Sequence, residues 1–434
     1  MSPAVLSGTG LPPRSATAAR QPLAYAVAVL LLLALQFGPL LGLIGFRLTE
    51  NPQWTLVGAL RDMAVAALVA LAAASRLLSG RQHPLPASAQ WALGTAAAFV
   101  LLGLLSNSDL FAMAYNLRRL TLAPLLFAAL LLIPWTTQEI ERLFALVAAT
   151  SLLVALMGLA EWAAPDALWT DVLQIEAYNA ANGFDPFRAL GFHESGRFYS
   201  SDLTVLADHS VRRAVSSYVE PTTLAAGMSA ALVLALARQA RGHRAGALLL
   251  ATGLCGLLTV SKGYLVFLVI LLCWRLTSLP SPRHLLLITV VCMAAAALGT
   301  SMGLMDGAFA HLGGATEGLK YLWEGRLLGE GIGNAGNYTQ SGDTTGGDSG
   351  LGNAIAQTGV LAFLPLLWLR AMARDVLDRA HLSRDPGGPW LASWTMFWIV
   401  TYALSASSQG VSGNGLGFAI LALYLHPSTH RSTP

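Results

Sequence analysis

Two long polar stretches interrupt an otherwise apolar chain, and they hold most of the residues able to do chemistry. The first, about 163–217, contains Arg188, Arg197, Arg212 and Arg213. A guanidinium is a planar, permanently charged fork that matches paired phosphate oxygens. Arg212 and Arg213 stand just before an apolar segment, a position suited to a lipid headgroup or a lipid-linked diphosphate. Ordinary solvent or lipid contact is the competing role. Glu220 follows in "SSYVEPTTLA". Pro221 suits a helix start, Ser216 or Ser217 can help cap it, and a carboxylate there favours the positive helix end. The alternative roles for Glu220 are to orient Arg213 or to receive the proton of a sugar hydroxyl. His193 and Glu194 are adjacent, but neighbouring side chains need not converge, and sugar or surface contacts suit them better.

Lys262 is the sharpest single residue. It lies between two apolar runs, and a cation inside or beside membrane helices is costly and often functional. It can bind a diphosphate or stabilise a negative leaving group, or it can snorkel into headgroups. Arg118 and Arg119 open another apolar run on the same side, where one of them can grip phosphate or both can anchor at the interface. Arg61 and Asp62 lie inside the second apolar run. Neighbours on a helix point in different directions, so a structural and a substrate role are equally open.

The second stretch, about 306–351, and the residues after it contain "LKYLWEGRLLGEGIGNAGNYTQSGDTTGGDSGLGNAIAQTG". Its GxGxxG-like "GEGIGNAG" follows no soluble strand, which a dinucleotide fingerprint requires. The glycines instead allow tight turns and close approach to a ligand. Arg326 is a further candidate for substrate binding. Asn334, Asn337, Asp343 and Asp348 can meet sugar hydroxyls, and Asp348 is also placed to cap the next helix. No His, Cys or carboxylate spacing suits a metal. Cys255, Cys273 and Cys292 all sit in apolar runs, which suits packing rather than disulfides or ligation.

The elements that must position these groups are membrane helices. Of 434 residues 55% are hydrophobic and only 11% charged, against roughly 25% charged in soluble domains. Apolar runs near the roughly 20 residues that cross a bilayer recur along the chain. Twelve spans are expected, near 23–46, 54–74, 91–106, 117–133, 142–162, 218–236, 246–260, 262–276, 284–305, 352–370, 390–407 and 412–425. Twelve spans put the basic short connections on one side: Arg76 and Arg81; Arg238, Arg241 and Arg244; Arg275 and Arg283; Arg370, Arg374, Arg379 and Arg384. The tails carry Arg14, Arg20 and Arg431 on that side. The positive-inside rule makes it cytoplasmic and leaves both polar stretches outside. The 246–276 region is read as a hairpin around Ser261-Lys262-Gly263, because one tilted helix would split the basic groups between sides. The expected organisation is a cytoplasmic tail, 1–22, retained rather than cleaved, and one all-α membrane domain, 23–434. The net charge of +3 implies no nucleic-acid partner.

With these features the chain resembles the O-antigen polymerase/O-antigen ligase superfamily of bacterial envelope enzymes. The segments that carry the resemblance are "RRAVSSYVEPTTLAAG", "TVSKGYLVFLV", "GRLLGEGIGNAG" and "DSGLGNAIAQTGVLAFL". Arg212 or Arg213 corresponds to the family's upstream arginine, and Lys262 stands where an arginine is usual. Gly329, Gly331 and Gly333 resemble its glycine segment. Asp348 and Ser349 lie where ligases carry a histidine motif, which favours a polymerase. The resemblance implies glycosyl transfer in the bacterial inner membrane, facing the periplasm. A sugar hydroxyl would attack the anomeric carbon of a polyprenyl-diphosphate-linked oligosaccharide, and the growing polysaccharide would move onto the next repeat unit. Arginine and lysine would stabilise the leaving diphosphate without metal, ATP or other cofactor, and Glu220 and Asp348 are the candidate bases. Implied partners are the lipid-linked substrate, the polymer, membrane lipids, and chain-length and export proteins. A ligase acting on lipid A-core and a glycan transporter are the alternatives. The long external stretches and the lack of internal repeats argue against a transporter.

Overall fold

The computed structural model describes residues 20–79, 85–181, 199–200, 211–277, 308–335, 349–405 and 409–430. It is an all-α, multi-pass membrane protein. The helices are α1 (Arg20–Thr49), α2 (Gly58–Ser79), α3 (Ala87–Leu105), α4 (Leu110–Leu132), α5 (Thr137–Ala163), α6 (Ile175–Ala181), α7 (Pro221–Ala240), α8 (Gly246–Leu258), α9 (Lys262–Thr277), α10 (Ala308–Trp323), α11 (Gly350–Thr358), α12 (Leu364–Ser383), α13 (Gly388–Leu404) and α14 (Val411–Leu425). A two-residue antiparallel ladder joins β1 (Tyr199–Ser200) to β2 (Val211–Arg212).

Six stretches are long and apolar enough to cross a bilayer: Pro22–Thr49, Gly58–Leu78, Ala87–Leu105, Leu110–Leu132, Thr137–Ala163 and Pro221–Ala240. Gly246–Leu258, Lys262–Trp274 and Val411–Leu425 are shorter apolar helices. The expectation of twelve full spans is therefore met by six among the described residues, and the 284–305 run lies outside them. The expected span at 352–370 is divided. The nine-residue α11 ends at Gly359, whose φ of +58° breaks the helix, and α12 begins after one 3-10 turn.

Local chemistry sets the helix ends. Thr136 and Glu139 form a reciprocal capping box at the start of α5. Asp109 accepts from the Ala112 N–H at the start of α4 (2.9 Å). The cap of α11 is Ser349, which accepts from the Gly352 N–H (3.0 Å), and not its neighbour Asp348. The hydroxyl of Ser349 also donates to the Ala403 carbonyl (2.8 Å), which ties α11 to α13.

The expected break in 246–276 is present, and the chain reverses at it. The Tyr264 hydroxyl reaches back to the Thr252 carbonyl (3.3 Å), and its ring fills the space a side chain on Gly256 would occupy. A continuous helix would hold residues twelve apart about 18 Å from one another. The turn is Thr259–Ser261, with Val260 at φ +46°, so Lys262 begins α9 rather than standing inside the turn.

Aromatic side chains fill the bundle. Trp368 stacks on Phe418 (centroids 4.9 Å apart), and Trp394 meets Phe418 edge-on at 5.3 Å. Phe267 of α9 meets Phe397 of α13 at 5.2 Å. Cys255 is buried against Gly158, the packing role expected of it. A buried polar brace crosses the middle: Gln36 of α1 donates to Thr150 of α5 (2.6 Å) and accepts from Ser151 (3.2 Å).

The bundle has two distinct ends. At one, which we call the loop end, the 211–220 segment bonds to the end of α8, and residues 325–335 bond to the α3–α4 connection and the end of α11. At the other, the tail end, Pro427–His430 packs on the α4–α5 connection, with the Thr137 hydroxyl on the Ser428 carbonyl (2.9 Å).

Candidate functional site

The segment before α7 is anchored from below by a residue the sequence reading did not single out. Glu161, near the end of α5, accepts from the Val215 N–H (3.1 Å) and from the Trp169 indole (2.8 Å). Trp169, Ile175, Tyr178, Val215 and Val219 then pack with Leu43 into a small second core. The first polar stretch is thus partly a folded apolar lid on α1 and α5. The only signal for Glu161 was a lone carboxylate beside Trp162 at the end of an apolar run.

The arginine pair takes opposite directions. Arg212 donates to the Trp162 and Ala164 carbonyls (3.0 Å each) and pairs with Asp166. Arg213 donates through Nε to the Thr259 carbonyl (2.8 Å). Each therefore satisfies carbonyls at a helix C-terminus, where the backbone dipole also favours positive charge. Arg212 closes α5 and is consumed by that role. Arg213 closes α8, at the turn from which Lys262 starts α9. Lys262 is half-buried.

Glu220 is the N-cap of α7. Its two carboxylate oxygens accept from the Thr222 and Thr223 N–H groups (3.2 and 2.9 Å) and from both threonine hydroxyls. Burial pushes the carboxyl up, and the threonine hydrogen bonds and the charge of Arg213 pull it back. Four donors on two oxygens make Glu220 a cap and a partner of Arg213. They leave it poorly placed to take a proton from a substrate.

A second charged cluster stands on the other side of α14. Arg61 and Asp62 do converge, contrary to the expectation for helix neighbours. Arg61 Nε bonds Asp62 (3.1 Å), and Arg118 Nε bonds the other oxygen of Asp62 (2.9 Å). Arg61 also donates to the Ser412 hydroxyl (2.8 Å). The long arginine side chain bends back along the helix, which the direction of its Cα–Cβ bond alone does not reveal. Next to Ser412, Gly413 packs on the Thr223 carbonyl, within 2.6 Å of where a Cβ would sit. The first turn of α14 therefore lies between the Arg213–Glu220 group and the Arg61–Asp62–Arg118 group.

The neighbours Arg118 and Arg119 also differ from their expected place. Because α4 begins at Leu110, both lie more than two turns inside the helix rather than at its edge. Arg118 faces Asp62 and the Tyr115 ring (5.6 Å). Arg119 faces inward and lines a small cavity with Thr95, Trp368, Trp398, Tyr402 and Gln409.

The glycine segment is a clamp within the protein. Gly329, Gly331 and Gly333 all have positive φ (+70°, +97°, +94°). The N–H groups of Glu330 and Gly331 donate to the Ala356 and Gln357 carbonyls (2.9 and 3.1 Å), and Ile332 is buried between Ser106 and Ser108. Close backbone approach is what the glycines allow, but the partners are the end of α11 at Gly329 and the first turn of α4 at Gly333. Asn334 is spent on the Glu330 carbonyl (3.0 Å). Arg326 pairs with Glu330 and lies over the Tyr321 ring (4.7 Å) at the surface. Neither converges with Arg213 in any contact.

Arg188, Arg197, Asp348, His193, Glu194, Asn337 and Asp343 lie outside the described residues. Among the described residues no cluster of three His, Cys, Asp or Glu side chains is arranged to hold a metal. No protein-family model matches the sequence, and no curated protein matches it. The class that fold and geometry define is a multi-pass membrane protein whose loop end gathers arginines and a lysine around helix termini.

Proposed function

We propose that this protein polymerises polyprenyl-diphosphate-linked oligosaccharide repeat units, with its loop end facing the periplasm. The observation that carries the reading is Arg213 bonded to the turn that presents Lys262, beside the capped start of α7. An anionic leaving group developing there would meet two cations and the positive ends of α7 and α9 in a water-poor setting. In the reaction, an acceptor hydroxyl oxygen forms a bond to the donor's anomeric carbon. The bond from that carbon to the diphosphate oxygen breaks, and polyprenyl diphosphate leaves with the electron pair. Arg213 and Lys262 stabilise it. With Glu220 spent as a cap, Asp348 is the proton acceptor this reading retains. Arg212, Arg326 and Asn334 hold the scaffold.

The test gives the purified, full-length protein one lipid-linked repeat unit without ATP or nucleotide sugar and resolves products by mass. A ladder rising by one complete repeat, with released polyprenyl diphosphate, is expected. Transfer only to lipid A-core selects a ligase. Movement across a vesicle membrane with no new glycosidic bond selects a transporter.

A further inference from the structure

The cavity that Arg119 lines lies in the body of the bundle, among side chains from α3, α4, α12, α13 and α14. Its volume is about 30 Å³, room for roughly two waters or one ion of similar size, and too little for a sugar or a diphosphate. Three of the lining residues bury a polar atom that has no hydrogen-bond partner among the described residues. They are the Thr95 hydroxyl on α3, the Trp368 indole on α12 and the Trp398 indole on α13. Thr95 is fully buried, and both tryptophans are 3% exposed. Packing holds the two indoles in place: Trp368 stacks on Phe418 (4.9 Å), and Trp398 lies against the same ring at 5.2 Å. Two further polar neighbours donate elsewhere. The Tyr402 hydroxyl donates to the Ala362 carbonyl (3.1 Å), and Gln409 Nε2 donates to the Gly350 carbonyl (2.7 Å).

The groups left to satisfy are donors. An indole N–H and a guanidinium can only donate, and a hydroxyl can turn to do so. The described residues that line the cavity include one cation, Arg119, and no carboxylate. A water there would need acceptors for its own two hydrogens, whereas an anion needs none. We propose that this cavity binds one small inorganic anion of chloride size, held by Arg119, Trp368, Trp398 and Thr95. A buried donor without a partner carries a desolvation cost that an acceptor recovers, and a charged acceptor recovers most of it. The bound ion ties α3 and α4 to α12 and α13 and fixes the Arg119 side chain inside the bundle. The inference does not rest on the polymerase reading, because the ion is neither substrate nor product.

Equilibrium dialysis of the full-length protein in detergent against radioactive chloride tests it, with gluconate as the balancing anion. Saturable binding of one chloride per chain, displaced by bromide, is expected. Inorganic phosphate at equal concentration should not displace it, because the cavity is too small. Trp368→Phe and Trp398→Phe keep an aromatic ring and remove one donor each. Each is expected to weaken chloride binding about tenfold or more, the scale of one hydrogen bond to a charged group. Thr95→Val, of nearly the same shape, should weaken it less, and Arg119→Gln should weaken it most. Trp323→Phe, at a position 93% exposed, should change nothing. Melting curves in gluconate identify the variants that fold, and the tryptophan and threonine variants decide the matter if Arg119→Gln does not. Absence of saturable binding overturns the proposal and leaves the cavity to water. Unchanged affinity in Trp368→Phe, Trp398→Phe and Thr95→Val overturns it by placing the ion elsewhere. Displacement by phosphate also overturns it, since a site of this volume cannot hold that ion.

Discussion

The two ends of the bundle use the same side chains for different purposes. At the tail end, Arg241 donates to both oxygens of Asp385 (2.8 and 2.6 Å) and lies over the Tyr424 ring (5.4 Å). Arg379 donates to the His426 carbonyl (3.1 Å), and the His426 ring meets the Ile133 carbonyl (2.8 Å). Arg241 and Arg379 share the one carboxylate of Asp385 and the Tyr424 ring, and the group ties α4, α7, α12 and α14 together. At the loop end, the carboxylates are engaged at helix starts and between helices. Glu220 is absorbed by two threonines, and Asp62 is shared by two arginines. A matched charge holds helices in place. A cation beside a helix start is placed where an anion is also favoured.

The sharpest way to break this comparison is to remove the loop-end cations. Arg213→Ala and Lys262→Ala are each expected to lower polymer formation by about a hundredfold or more, the scale of losing one stabiliser of developing charge. Membrane insertion and melting temperature should change far less. Normal turnover in both variants would end the catalytic reading of the loop end. Lys262→Arg keeps the charge and should retain most activity.

The tail end should respond to pH and not to substrate. Burial and the charge of Arg379 hold the His426 imidazole down at about 4, against the help of the Ile133 carbonyl. Its Nδ1 accepts from the Ser428 N–H (3.2 Å), so Nε2 carries the proton toward Ile133 and the folded state keeps the ring neutral. An unfolded chain protonates the same ring near pH 6.5, so it binds more protons than the folded one. Stability is therefore full above about pH 6.5 and falls toward pH 4, by roughly 3 kcal/mol at the lower limit. Melting curves in detergent at several pH values would show it, and His426→Gln should flatten the slope. A slope unchanged in His426→Gln would assign the effect to other groups.

Arg241→Ala should destabilise the fold by about 2 kcal/mol, since it strands a half-buried carboxylate, discounted for partial exposure. Activity per folded molecule should stay near normal, and a specific loss of turnover would erase the distinction between the ends. The smallest effect expected is that of Glu220→Gln. The amide keeps one acceptor oxygen, so the cost is about 1 kcal/mol or less with little loss of turnover. A hundredfold loss of turnover would restore Glu220 as the proton acceptor.

Much of the architecture was legible in the residues. Apolar runs, Pro221 at a helix start and a break around Ser261-Lys262-Gly263 are local features, and they mark helices within a few residues. The places that failed share a cause. The start of α4 was set seven residues late because "LFAMAYN" mixes polar and apolar groups, and Asp109 caps it without an apolar run to announce it. Asp348 looked like a cap, but Ser349 has the geometry, and a one-residue choice of that kind depends on where the α13 carbonyl lies.

Composition and order along the chain determined that this is a helical membrane protein, that its polar stretches fall between spans, and that lysine and arginine are concentrated near one set of helix ends. Those properties follow from transfer of each segment between water and lipid, which needs no neighbour. Tertiary structure alone decided which cations are spent. Arg212 and Arg213 are adjacent, yet one closes α5 and the other α8. Arg118 and Arg119 are adjacent, yet one meets Asp62 and the other an interior cavity. A helix turns about 100° per residue, so neighbouring side chains face different partners, and those partners arrive from distant parts of the chain.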